Sequence, residues 1–194
     1  MKRFVTLMII TIAFLSSGFS DKGTWIIDSK SQLTIHGATN VNNFSCKIAS
    51  SSGTDTLQYV KNYAACEIQF YRNRMSIPIR SFDCGSRQIS KDFHNTLKSE
   101  IYPRLDIDFK SLQNLYVIND TFIAGVVDIT LAGITARYTI RYWVTVKGND
   151  TILLTGTHPV NFSDFKLKAP EKLSGLIKVK EVLNVEFNLL LRER

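Results

Sequence analysis

His36, His94 and His158 are the only imidazoles of the chain, and imidazole is the side chain best suited to proton transfer or metal ligation near neutral pH. They lie far apart, in none of the spacings that announce a metal site or a catalytic triad. His36 falls on the polar side of a segment whose other side is Leu33 and Ile35. His94 neighbours Phe93 in a helical stretch, and His158 precedes Pro159 where a turn is expected. Asp106 and Asp108 share one strand face, but Leu105, Ile107 and Phe109 occupy the other, so the carboxylates face water rather than a pocket where acid–base work could occur. The sequence holds no G-x-S-x-G elbow, phosphate loop or H-E-x-x-H pair. No catalytic residue, metal ligand or resident cofactor is therefore expected. A hydrolase or isomerase built on His94, His36 or Asp92 is the weakest of three function classes weighed below.

The three cysteines, Cys46, Cys66 and Cys84, are an odd number for an exported chain. Cys46 shares an apolar face with Phe44 and Ile48, Cys66 with Ile68 and Phe70, and Cys84 ends a strand. Two readings stand: one disulfide plus one thiol, in any of three pairings, or buried free cysteines acting as small hydrophobes.

The elements that would position these residues are strands. From Ile134 to Val146 every second residue is apolar: Ile134, Ala136, Tyr138, Ile140, Tyr142, Val144 and Val146. The residues between them are polar apart from Trp143, so one face is dry and one is wet. At ~3.3 Å per residue the segment spans roughly 45 Å, far beyond an average strand. Leu33 and Ile35, Leu105 to Phe109, and Leu183 to Leu191 repeat the pattern, which is that of half-buried antiparallel strands. Ser51-Ser52-Gly53, Asn119-Asp120, Ala132-Gly133 and Gly148-Asn149-Asp150 signal turns. Pro78 marks an edge strand or a bulge. One helix is expected, with Ser90 as N-cap and Phe93, Leu97 and Ile101 on one face, ended by Pro103. The fold class is thus all-β: an extended antiparallel, lipocalin-like barrel of about eight strands with one short capping helix.

Residues 1–20 read as a secretory signal peptide: Lys2 and Arg3, an apolar run from Phe4 to Leu15, then Gly18-Phe19-Ser20. Residues 21–194 then form one barrel domain, periplasmic or secreted. No cysteine follows the leader to carry a lipid anchor. The formal charge of +7 falls by two without Lys2 and Arg3, and what remains is dispersed. Nucleic-acid binding is not expected, whereas transient contact with a membrane surface is compatible with this charge. Oligomeric state is not legible.

Trp25-x-x-Asp28-x-x-Ser31-x-Leu33-x-Ile35-x-Gly37 resembles the opening of YceI-like proteins. Ser76-Ile77-Pro78-Ile79-x-Ser81-Phe82, then Asp92 with Leu97-Lys98, then Tyr102-Pro103-x-Leu105-x-Ile107-x-Phe109, is similar to that family's middle signature. Gly125-x-Val127-x-Ile129-Thr130-Leu131-x-Gly133-Ile134-Thr135, Phe162-x-Asp164-Phe165 and Gly175-x-Ile177-x-Val179 with Val185-x-Phe187-x-Leu189 continue the likeness to the end of the chain. The resemblance implies a lipocalin-type barrel in exported bacterial proteins, with an internal cavity for polyisoprenoid chains, including quinone-like or prenyl-phosphate lipids.

The leading expectation is a non-enzymatic binding protein that holds such an apolar chain inside the barrel. Strand alternation and the helix nominate Phe44, Phe93, Leu97, Ile107, Phe109, Tyr138, Ile140, Tyr142, Val185, Phe187 and Leu189 as its walls. Burial contributes roughly 0.8 kcal/mol per CH₂, enough for useful affinity without chemistry. Lys166, Lys168, Lys178 and Lys180 could meet an anionic head group, although Lys166 and Lys168 alternate with Phe165 and Leu167 as solvated residues do. The competing class is a filled-core envelope interaction module with no ligand, its contact patch around Trp143.

Overall fold

Glycines set opposite aromatic residues let this sheet close. A Cβ at Gly23 would lie 2.3 Å from the Tyr59 ring, one at Gly37 would lie 2.2 Å from the Phe44 ring, and one at Gly156 would lie 2.8 Å from the Phe187 ring. Each pair is directly cross-strand. With no side chain on the glycine, the ring lies over bare backbone and the strands can bend into a barrel.

The computed structural model describes residues 21–48, 55–113, 120–148 and 150–194; the expected leader lies outside them, as do the Ser51-Ser52-Gly53 turn signal, Asn119 and Asn149. In order the elements are β1 (Asp21–Ile27), β2 (Gln32–Ala38), β3 (Asn43–Ile48), β4 (Thr56–Asn62), β5 (Glu67–Arg72), β6 (Arg74–Pro78), β7 (Phe82–Asp83), α1 (Arg87–Thr96), β8 (Arg104–Gln113), β9 (Thr121–Leu131), β10 (Ile134–Val146), β11 (Thr151–Asn161), β12 (Glu171–Lys172), β13 (Ile177–Lys178) and β14 (Val182–Glu193). Eight of them form the barrel in the order β1-β4-β5-β8-β9-β10-β11-β14, closed by β14 against β1 at Trp25↔Glu193 through Ile27↔Leu191. All these pairs are antiparallel, as the alternation requires.

Two long strands are broken in the middle, and each break has a polar residue at its centre. Between β1 and β2 the chain turns at Asp28, whose buried carboxylate accepts hydrogen bonds from Arg192 and from the Lys30 amide at 2.8 Å. As a result β14 pairs with β1 at one end and with β2 at the other. Between β5 and β6 stands Asn73, whose side-chain amide donates to the Phe109 carbonyl. The facing strand β8 shifts register there, between Phe109 and Ser111. Beyond this break β6 pairs only with β8 among the described residues. Pro78, with no N–H to donate, ends this edge strand, as its position in sequence predicts.

A second seam runs between β10 and β11, which pair only at Trp143↔Thr155 through Val146↔Ile152. Beyond it the strands diverge, and the short 3-10 turn Ser163–Phe165 fills the gap with Phe165, which is buried. One end of the barrel is stopped by aromatic packing: the Trp25 ring lies 4.7 Å from Tyr59 and 6.0 Å from Phe70. Near the other end α1 packs Phe93 against Phe82 at 5.6 Å. A disulfide joins Cys46 to Cys84 and so ties β3 to the segment entering α1.

Several local expectations are corrected. The helix begins one turn earlier than expected, with Ser86 as N-cap; Ser90 lies inside it and accepts a hydrogen bond from the Cys84 amide at 3.0 Å. It ends at Thr96, because Lys98 adopts a left-handed conformation (φ 55°), and Ile101 is left exposed. Cys66, the free thiol, sits in the left-handed turn before β5 and not on that strand's apolar face. Val146 is exposed at the end of β10. His158 lies within β11 instead of a turn. Pro159 is tolerated beside it because β10 has already peeled away and no partner there needs its N–H.

Candidate functional site

The inward residues of the sheet converge on a small apolar void. Its walls are Leu33, Met75, Ile107, Phe109, Val127, Ile129, Ile140, Tyr142, His158, Val160, Val185, Phe187 and Leu189, and its volume is about 40 Å³. The rings of Tyr142 and Phe187, both buried, face each other across this wall with centroids 5.0 Å apart. An engineered apolar cavity that binds benzene has about 150 Å³, so a hydrocarbon chain entering this void would displace side chains that line it. Alternation identifies the inner face but leaves open whether the interior is hollow or filled, and the space found there is small.

The lumen has a lateral continuation. Leu33, Met75 and Leu189 also line a cleft of about 170 Å³, together with Ile27, Ile48, Ile77 and Pro78. It lies along the edge of β6 opposite β8, where no strand pairs with β6 among the described residues. Asp55, Ser76, Ser81 and Arg104 also line the cleft. Arg104 donates to the Ser76 carbonyl at 2.6 Å, and burial pushes the Asp55 carboxyl above its usual range despite Arg104 and the Ser76 amide. The cleft thus combines an apolar floor with a cationic and hydrogen-bonding group, the arrangement that suits an amphipathic molecule.

A third space lies under α1. Phe44, Phe93, Pro170, Ile177 and Val179 help enclose about 260 Å³ between the helix, the β2–β3 turn and the β12–β13 hairpin, and an Asp92–Lys172 ion pair of 2.8 Å bridges helix to hairpin. It shares no lining residue with the central void.

Of the residues nominated from sequence, Ile107, Phe109, Ile140, Tyr142, Val185, Phe187 and Leu189 line the central void, whereas Phe44 and Phe93 line the pocket under the helix. Leu97 is buried but lines none of these spaces. Tyr138 is half-buried at the β10–β11 seam, where its hydroxyl donates to Asp164 at 2.8 Å and holds that carboxyl below its usual range. Sequence reasoning missed Leu33, Met75, Val127, Ile129, His158 and Val160. Val127 and Ile129 alternate as plainly as the residues chosen, and Met75 alternates with Ile77. His158 was hidden by Pro159.

His158 is the one ionisable wall residue besides tyrosine. Its ring packs 5.2 Å from Tyr138, and burial depresses its pKa. His36 instead accompanies Glu186 at 2.9 Å, and the His94 ring nitrogen stands 3.0 Å from the Phe82 carbonyl, so the three histidines do not converge. Asp106 and Asp108 lie on the outer face, as alternation predicts, with Ser76 and Arg74 as their partners. Trp143 is half-buried against Phe122 at 4.8 Å rather than standing alone on the surface. Lys166, Lys168, Lys178 and Lys180 are exposed or half-exposed, and Lys178 pairs with Glu171. Among the described residues no group of three potential metal ligands occurs, and no helix is long and apolar enough to cross a membrane.

Comparison with known proteins bears on this architecture. No curated protein sequence matches the chain. The solved structure of BcnA from Burkholderia cenocepacia superposes with a TM-score of 0.65 at 16% identity, covering 84% of this chain and 98% of BcnA. A polyisoprenoid-binding domain from Saccharophagus degradans, implicated in plant cell wall breakdown, gives a TM-score of 0.65 at 14% identity over 88% of this chain and 98% of that domain. At these identities the likeness speaks for the fold. The sequence itself matches the model of the YceI-like domain over residues 25–191, from the tryptophan that stops one end of the barrel to the leucine that closes β14 on β1, and the chain belongs to the YceI-like domain family.

Proposed function

We propose that this protein is a non-enzymatic lipid-binding barrel that holds a polyisoprenoid or similar long apolar chain. The observation that carries the reading is an apolar cleft along the edge of β6, unpaired on that side among the described residues, that shares Leu33, Met75 and Leu189 with the apolar lumen. A tail would enter there and displace the rings of Tyr142 and Phe187, while a polar head group stays near Arg104 and Ser76. Support comes from the family and from the shared fold of a domain that binds polyisoprenoids. The leader-like residues 1–20 support export to the periplasm or beyond. The separated histidines and outward carboxylates offer no assembled acid–base machinery, which favours binding over catalysis.

A second reading draws on the lumen of about 40 Å³: a filled barrel that serves only as an interaction module. Mass spectrometry of organic extracts from natively purified protein separates the two. A co-purifying prenyl lipid is the expected result. Extracts repeatedly free of lipid, with no uptake of added prenyl lipid, would favour the filled module.

A further inference from the structure

The hairpin β12–β13 holds two leucines out in water. Leu173 is 67% and Leu176 73% exposed. The turn between the strands places Leu173 and Ser174 in the left-handed region at φ 52° and 53°, followed by Gly175 at φ 88°. That conformation is disfavoured for a leucine, and the surrounding structure fixes it. The Asn40 side chain donates to the Leu176 carbonyl at 2.9 Å and accepts from the Lys178 amide at 2.9 Å, while Thr39 bridges to Val179. Val41 (63% exposed) and Ile89 line the pocket under α1 together with Lys172 and Ile177 of the hairpin.

Charge flanks the two leucines in sequence. Lys172 and Lys178 flank the turn, each paired with a single carboxylate. Lys166 and Lys168 lie in the segment leading into the hairpin and Lys180 in the one leaving it, and none of these three is in an ion pair among the described residues. Exposed leucines flanked in sequence by lysines, on a chain whose formal charge of +7 stays positive after the two leader charges Lys2 and Arg3 are set aside, match the chemistry of an anionic bilayer surface: apolar side chains enter the acyl boundary and ammonium groups meet the head groups.

We propose that this end of the barrel docks on lipid bilayers carrying anionic head groups, with Leu173 and Leu176 inserted and the flanking lysines at the head-group level. The contact is independent of whether the lumen takes a lipid, so the test uses vesicles free of prenyl lipids. The protein is floated with vesicles of equal parts phosphatidylcholine and phosphatidylglycerol and, separately, with phosphatidylcholine alone. The parent is expected to float with the anionic vesicles and to be released by added salt. Combined Leu173→Ser and Leu176→Ser should weaken the association at least about tenfold without lowering the melting temperature, because both side chains are exposed. As a second readout, Leu176→Trp should shift its emission to the blue on meeting the anionic vesicles. A parent that stays in solution with those vesicles, or a double serine variant that floats as well as the parent, would overturn the proposal.

Discussion

Replacing Phe187 by alanine tests how tightly the lumen is packed and whether its aromatic rings oppose a guest. The ring is 4% exposed, lies 5.0 Å from Tyr142 and covers Gly156. Opposite it, the bare glycine has no side chain that could move in and fill the space. Phe187→Ala removes about 100 Å³ of side chain; at ~24 cal/mol per Å³ the cavity alone costs about 2.4 kcal/mol, and the lost transfer free energy brings the total to about 3–5 kcal/mol. Joined to the existing void of about 40 Å³, the space becomes comparable with the roughly 150 Å³ that admits a benzene ring. Urea unfolding, followed by fluorescence of Trp25 and Trp143, measures the cost. Repeating it with benzene measures recovery, which should reach about 2.7 kcal/mol at a hundredfold excess over Kd. Phe187→Leu serves as a milder control if the alanine variant does not fold. A cost below about 1 kcal/mol, or no recovery with benzene, would refute the packing argument. By the same reasoning Phe187→Ala should bind a prenyl chain more tightly than the parent, since one displaced ring is already gone.

Two further expectations concern stability. The Cys46–Cys84 disulfide spans a sequence separation of 38, and loop-closure entropy assigns it about 4 kcal/mol; urea midpoints of the parent and of combined Cys46→Ala and Cys84→Ala should differ accordingly, and a change under about 1 kcal/mol would count against it. His158, normally 6.5, has its folded pKa lowered by burial, so in the window between those two values the unfolded chain binds the extra proton. Stability should therefore be fully present above 6.5 and fall as pH drops toward the depressed value. His158→Gln should flatten that part of the pH profile, and an unchanged slope would argue that the ring is open to water.

How much of this was readable beforehand depends on what alternation encodes. The period of two in β10 and β14 identified the wall, and the inward positions from Ile107 to Leu189 follow from it. It does not report how far opposite walls stand apart, so the small size of the space beside Tyr142 and Phe187 was invisible. The lateral cleft was equally hidden, because it lies where, among the described residues, the sheet is interrupted at Asn73 and at the turn of Asp28. Both are single polar residues inside otherwise regular strands. Pro159 read as a turn because its tolerance depends on β10 leaving β11, a tertiary fact. Among the helix signals, Phe93 and Leu97 marked the buried face, but Ser86 and Ser90 are equally good caps in sequence. The left-handed residue that ends the helix is a lysine rather than the expected glycine or asparagine.

Met75 lies, with Leu33 and Leu189, on both the cleft and the central void, at the junction of the proposed route. Calorimetric titration of the parent and of Met75→Trp with a prenyl alcohol therefore addresses lipid holding most directly. The indole should block the passage at a folding cost of about 1–3 kcal/mol, so the parent should bind and the variant should bind at least about tenfold more weakly. A parent that takes up no prenyl alcohol, or a folded variant that binds as well as the parent, would contradict the account.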